Sequence, residues 1–204
     1  LEVSPFKVVN SPDVSTGHML TGEYSEDKPA NVVLYISFSS PHSSDVTPLL
    51  EKLLEVFSEE MNLSIKYISQ IENGKSAILA AECASQQDAY LDMYKKLFSE
   101  QDNWLSVEEQ FIDNTMARFA RELSLDSAEF RTCYAQEEQI FEQIDVYQQE
   151  IDKMGVTGTP TFIVNNHILA GAYEQERFFK LIEQIFEQEN INIEVPELEV
   201  IELE

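Results

Sequence analysis

Ser40, Pro41, His42 and Ser43 are the residues of this chain whose types and spacing could do chemistry. They stand where a buried run, Val32 to Phe38, gives way to an amphipathic one. That strand-to-helix join is where open α/β folds keep their reactive groups. A helix N-terminus offers unpaired N–H groups and a partial positive charge, and His42 adds a donor or a further charge. A serine oxygen nevertheless forms no exchangeable disulfide, and a helix terminus is far too weak to ionise an alcohol near neutral pH. Read alone, the four residues also make an ordinary helix start. Ser40 suits an N-cap, Pro41 the first helical position, and Ser43 with Asp45 an acidic first turn. His18 and His167 read as surface or turn residues with no partner at metal-ligand spacing, and Cys83 and Cys133 lack that spacing too, so no metal is expected.

The hydrophobic pattern says which elements must position these residues. Asn31 to Phe38 is a nearly continuous β-branched and aromatic run, as in a strand covered on both faces. After Pro41, apolar residues at Val46, Leu49, Leu50, Leu53, Leu54 and Phe57 mark one buried helical face. Leu63 to Ile71 then alternates as a strand does, so a βαβ unit is predicted. Residues 76–150 contain neither glycine nor proline and keep the helical period throughout. Leu79, Cys83, Tyr90, Tyr94 and Leu97 fall in one stripe, and Phe111, Met116, Phe119 and Leu123 in another. Phe130, Cys133 and Tyr134 face inward behind a cap at Asp126 or Ser127. Three or four inserted helices are expected there. The sheet resumes with a strand Thr161 to Val164, a turn at Asn165 and Asn166, and a returning strand His167 to Ala170. A last helix buries Phe178, Leu181, Ile182 and Ile185. The turn-rich first 30 residues supply one edge strand near Phe6 to Val9, and residues 191–204 an acidic tail or edge strand.

Composition narrows the partners. The 204 residues are 43% apolar, enough for one core with an insertion. A net charge of -25, from 38 acidic against 13 basic residues, repels nucleic-acid phosphates and anionic lipid and reads as a solvation device. No run approaches the ~20 apolar residues of a bilayer span, so no membrane insertion of this chain is expected. It begins at Leu1 rather than methionine, and removal of a leader or anchor is expected. Trp104 and the aromatic residues of 76–150 read as core or domain interface rather than a cofactor box.

Two separated segments resemble the DsbA-type thiol-disulfide oxidoreductases, thioredoxin folds with a helical domain inserted in the middle. Phe38-Ser39-Ser40-Pro41-His42-Ser43 matches that family's Phe-Ser-Cys-Pro-His-Cys pattern with serine in place of both cysteines. Gly155 to Ala172 resembles its Gly-Thr-Pro-Thr segment and following β-hairpin, with Asn166 where glycine is common. The resemblance implies an α/β fold with residues 1–75 and 151–190 as the thioredoxin-like domain and 76–150 as an all-helical insertion.

The resemblance also implies site roles. Ser40 marks the nucleophile position and Ser43 the resolving one, with Pro41 and His42 tuning the first. Thr159 and Pro160, joined by a cis peptide bond, form the substrate-facing platform. The parent activity would be disulfide formation or isomerisation in folding proteins, in a periplasmic or other extracytoplasmic compartment, with no dissociable cofactor. A membrane or thioredoxin-like redox partner would reset it. This chain, with hydroxyls at both positions, is expected to be inactive in exchange. A deliberate double Cys-to-Ser substitution accounts for the survival of Pro41 and His42 without a thiol to tune. Natural loss of redox function, leaving a peptide-binding chaperone-like module, is one alternative. The other is a serine enzyme like the kappa-class glutathione transferases, against which "AGAYEQERF" is a mismatch. Cys83 and Cys133 stand where several family members have cysteine, implying a structural disulfide; two buried free thiols are the alternative.

Overall fold

In the computed structural model, which describes residues 7–69 and 71–195, a six-stranded sheet carries the chain. Its strands are β1 (Lys7–Val8), β2 (His18–Met19), β3 (Ala30–Ile36), β4 (Met61–Tyr67), β5 (Thr161–Val164) and β6 (His167–Ala170), in the order β1-β6-β5-β3-β4-β2. β3, rich in β-branched and aromatic residues, sits inside the sheet and is buried along nearly its whole length. β1 pairs antiparallel with β6 and β2 with β4, so the first thirty residues provide both edges rather than the single edge strand expected. The β5–β6 hairpin falls on the expected residues, with Thr161 opposite Ala170 and Val164 opposite His167. Its turn places Asn165 at φ +52°, a left-handed conformation that asparagine tolerates. The expected tail lies partly outside the described residues, and 191–195 form no element.

The helices are α1 (Pro41–Ser44), α2 (Thr47–Phe57), α3 (Glu72–Ser85), α4 (Tyr90–Ser99), α5 (Gln101–Leu105), α6 (Ile112–Glu122), α7 (Ser127–Tyr134), α8 (Glu137–Met154) and α9 (Gln175–Glu189). The chain divides into two compact units. One holds Leu1–Leu34, Asp45–Ile65 and Pro160–Glu204; the other holds Tyr35–Ser44 and Lys66–Thr159. The first is built on most of the sheet with α2 and α9, where the Phe57 ring lies 5.6 Å from Phe179 and 6.3 Å from Phe186.

The second unit is mainly helical. Without glycine or proline in 76–150, two of its helices end on non-glycine residues in the left-handed region, Asp88 at φ +57° and Ser124 at +62°. Each end is closed by a bond spanning five residues, Ala89 N–H to the Ala84 carbonyl and Leu125 N–H to the Ala120 carbonyl. Asp126 caps α7, accepting from the Ala128 and Glu129 amides at 2.8 and 2.9 Å. Cys83 and Cys133 are joined in a disulfide, tying α3 to α7 across 50 residues.

Three expectations are corrected. Phe111 is 52% exposed because it precedes α6, with Glu109–Phe111 forming a separate 3₁₀ turn. Leu123 is only half-buried, lying past the last residue of α6. His167 is buried rather than superficial, sitting in β6 with Nδ1 3.4 Å from the Glu189 carboxylate.

Beside Tyr35, β4 buries Lys66 completely. Its ammonium lies 2.7 Å from the Glu150 carboxylate and 5.1 Å from the Tyr147 ring centre, and the Tyr35 hydroxyl donates to the same carboxylate oxygen at 2.7 Å. Burial, then the Glu150 carboxylate, push the Tyr35 hydroxyl far above the ordinary phenol range, so it remains a donor.

Two stability predictions follow from these ties. Glu150→Leu strands a buried ammonium and should lower the urea-derived unfolding free energy by about 3 kcal/mol or more, whereas Glu150→Leu with Lys66→Met should recover most of it. Cys83→Ala with Cys133→Ala should cost roughly 2–4 kcal/mol in the same measurement, the chain-entropy model giving about 4 for a loop of this length.

Candidate active site

The site begins where β3 runs out of sheet. Ile36 still offers its carbonyl to the Ile68 amide at 2.8 Å, and the next four residues close a β-turn with the Ser40 N–H on the Ser37 carbonyl at 3.0 Å. The turn cannot simply relax, because Phe38 at its tip is 1% exposed. The Phe38 ring packs among Tyr67, Tyr94 and Phe98, with centroids 5.9, 5.7 and 5.1 Å away.

After the turn comes α1, and the helix is shorter than expected. Proline at 48 has no N–H to give the Ser44 carbonyl, and its ring would collide with that carbonyl in a continuous helix. The chain therefore breaks between Ser44 and Thr47 and restarts as α2. Pro41 and His42 are exposed, Ser40 and Ser44 are half-buried, and Ser43 is fully buried. The Ser43 hydroxyl accepts from the Ser37 amide at 3.3 Å, while the Ser44 hydroxyl donates to the Pro41 carbonyl at 2.6 Å.

Ser40 reaches across the sequence. Its hydroxyl donates to the Thr159 carbonyl at 3.3 Å, bridging 119 positions. Thr159 is half-buried and the preceding Gly158 is exposed. Pro160, the next residue, is buried, and its carbonyl accepts from Gly171 at 2.9 Å at the open end of the β5–β6 hairpin. The structure thus brings Ser40, Pro41, His42, Ser43 and Thr159 together in one unit. The Cys83–Cys133 disulfide in α3 and α7 is a separate feature. Among the described residues no group of three or more His, Cys, Asp or Glu is arranged to hold a metal ion, and no helix is long and apolar enough to cross a membrane.

Sequence reasoning missed two contributors to the site and one buried pair apart from it. Ser37 offers its own hydroxyl to the Ser39 amide at 3.3 Å and shares a bond of 2.8 Å with the Ser39 hydroxyl. Gln101, at the start of α5, donates its side-chain amide to the Phe38 carbonyl at 2.7 Å. The Lys66–Glu150 pair had only a misleading signal, since the alternation of Leu63 to Ile71 sets Lys66 on the polar face whereas β4 is buried along its whole length. Gln101 had none. Next to this shell the Tyr67 hydroxyl donates to Glu82 at 2.5 Å and lies within hydrogen-bond distance of the Tyr90 hydroxyl at 3.0 Å, and burial first, then the Glu82 charge, hold both phenols well above their ordinary range.

Residues 15–184 match a family model described as "Thioredoxin". The chain belongs to the thioredoxin family, and its fold is that of the DsbA-type thiol-disulfide oxidoreductases. It is similar to a thioredoxin-like oxidoreductase from Silicibacter pomeroyi DSS-3 at 19% identity and a TM-score of 0.67, covering 84% of this chain and 93% of that one. BdbD from Bacillus subtilis, in oxidised form, gives 19% identity and 0.67 over 88% and 98%. The thiol-disulfide exchange protein alpha-DsbA2 from Wolbachia pipientis gives 16% and 0.67 over 83% and 87%. At the sequence level the chain is 28% identical over 160 residues to the Na(+)/H(+) antiporter NhaA 3 of Salinispora tropica, a match that covers 74% of this chain and 22% of that protein.

Ser43 supplies the site's own stability test. Ser43→Ala removes the acceptor of the buried Ser37 amide and should lower the unfolding free energy by about 1–3 kcal/mol in urea titrations. Ser40→Ala, whose bond is half-buried, should cost less than about 1 kcal/mol.

Proposed function

We propose that this chain is a DsbA-like thiol-disulfide oxidoreductase in redox-inactive form, which receives extended segments of folding proteins and exchanges no disulfide with them. One observation carries the reading: the hydroxyl of Ser40 meets the carbonyl of Thr159 at 3.3 Å, joining the two segments that the family resemblance singles out. In this reading residues 1–75 and 151–190 are the thioredoxin-like part and 76–150 its helical insertion. Thr159 and Pro160, with a cis bond between them, give an unfolded or cysteine-containing client its backbone contacts. Residue 40 is the nucleophile position, residue 43 the resolving one, and Pro41 and His42 tune them. The compartment is periplasmic or otherwise extracytoplasmic, where disulfides persist, and a membrane or thioredoxin-like partner resets the parent enzyme.

With sulfur at both positions the reaction balances without a cofactor. A client thiolate attacks the 40–43 disulfide at residue 40 and expels the residue 43 thiolate. A second client thiol then displaces the residue 40 sulfur, so the client loses two electrons and two thiols are left on the enzyme. A hydroxyl can take neither part. The pair Ser40 and Ser43 is read as a double Cys-to-Ser substitution, which leaves the tuning residues in place.

The decisive comparison sets the unaltered chain beside Ser40→Cys with Ser43→Cys in an assay of disulfide formation in a reduced, unfolded client. Exchange gained only by the double variant supports the oxidoreductase. Glutathione conjugation by the unaltered chain would replace it with a serine transferase, and tight binding of unfolded peptides with neither activity, in both forms, would replace it with a chaperone-like module.

A further inference from the structure

The β-turn that leads into the site is held at its central peptide, the one joining Phe38 to Ser39. That peptide is the free element of any β-turn, because the common turn types differ mainly by its rotation through about half a circle. Here both of its ends are occupied. The Phe38 carbonyl accepts from the Gln101 side chain at 2.7 Å, and the Ser39 amide donates to the Ser37 hydroxyl at 3.3 Å. The bond to a carbonyl fixes which end of the Gln101 amide faces the turn, since only its nitrogen can donate.

Gln101 is itself rigidly mounted. Trp104, one turn further along α5, is fully buried and donates its indole N–H to the Leu97 carbonyl at 2.7 Å. The Asn73 amide nitrogen closes the far end of the same segment, 2.9 Å from the Val107 carbonyl. A short helix fixed at its C-terminal end therefore presents one donor to the turn.

We infer that Gln101, with Ser37, is a positioning residue that locks the 38–39 peptide and so aims residue 40 at the Thr159 carbonyl. The inference rests on the site reading given above for its functional consequence, and on hydrogen bonding alone for the lock. Releasing the Phe38 carbonyl lets the peptide rotate, withdraws the Ser39 amide from Ser37, and leaves Ser40 at the end of a turn held only by its closing bond, so that its aim at Thr159 loosens. Gln101 touches no substrate atom. It acts by way of the turn.

The test separates the lock from the chemistry. Gln101→Met keeps the length and removes the donor, while Gln101→Lys keeps a donor. In the otherwise unaltered chain, amide hydrogen exchange at Ser39 and Ser40 should speed up by about tenfold or more in Gln101→Met, with α3 amides unchanged as the folding reference, and Gln101→Lys should restore most of the protection. Unchanged protection at Ser39 overturns the lock, and equal loss across α3 overturns it as well, because the residue is then merely structural. In the Ser40→Cys, Ser43→Cys background, Gln101→Met should slow disulfide exchange by about tenfold or more. Lost protection with unaltered exchange overturns the positioning role. A double-cysteine form that exchanges nothing with glutamine at 101 sinks the site reading instead, and the amide data then decide the lock on their own.

Discussion

A buried chain leaving a sheet must find partners for peptide groups that no strand can any longer supply, and that constraint organises this molecule. Backbone amides and carbonyls shut away from water are costly unless bonded. Between Ser37 and Ser40 the sheet has ended while the chain is still in the interior, as Phe38 at 1% exposure shows. Five backbone donors and acceptors are satisfied by whatever lies within reach: the hydroxyl of Ser43 six residues on, the neighbouring hydroxyl of Ser37, the amide of Gln101 and the turn's own closing bond. The geometry that puts Ser40 against Thr159 is a consequence of this accounting.

That geometry makes the family's fold necessary for the chemistry and insufficient for it. A fold positions groups, and the groups themselves decide the reaction. A thiol beside a helix terminus and a histidine can ionise near neutral pH, since its unperturbed pKa of about 8.5 needs to fall only slightly. An alcohol in the same place stays protonated and spends its proton on the nearest acceptor, as Ser40 does on Thr159. The electrostatic contribution of α1 is small in any case, because Pro48 limits that helix to four residues.

Much of this was legible in the sequence, for reasons that differ by element. β3 and the β5–β6 hairpin announce themselves because every second or every residue must be apolar in a covered strand, and because Asn165 marks a left-handed turn. The short helix was also written in the chain, in Pro48, but an unbroken apolar stripe from Val46 to Phe57 outweighed it. Helix ends in 76–150 were illegible in a more basic way: Asp88 and Ser124 adopt the conformation usually signalled by glycine, so nothing in composition marks the stop. Phe111 was misplaced because a 3₁₀ turn shifts the phase of the stripe by a fraction of a helical turn. His167 was taken for a turn residue, although a strand beginning directly after Asn165-Asn166 turns it toward Glu189. Gln101 could not be found at all. Its contact with Phe38 spans 63 positions and uses a residue type that is ordinary at the start of any exposed helix.

The helical segment consequently does more than cover the sheet. Phe38 is caged by Tyr94 and Phe98 of α4, its carbonyl is held from α5, and its ring rests on Tyr67, whose hydroxyl is itself engaged by Glu82 of α3. Gln101 of α5 thus holds the peptide unit next to Ser40 directly, α4 packs on the Phe38 ring, and α3 reaches that ring only through Tyr67. A thioredoxin sheet alone would leave that peptide to water or to its own strand. Substitutions of the residues that bear on Phe38 should therefore act on residue 40 by tilting or releasing the Phe38–Ser39 peptide, while substitutions in α9, whose Phe179 and Phe186 pack on Phe57 of α2, have no such route within their own unit. The physical distinction between the two groups is whether a side chain bears on the turn's central peptide, not how near it lies to the site in sequence.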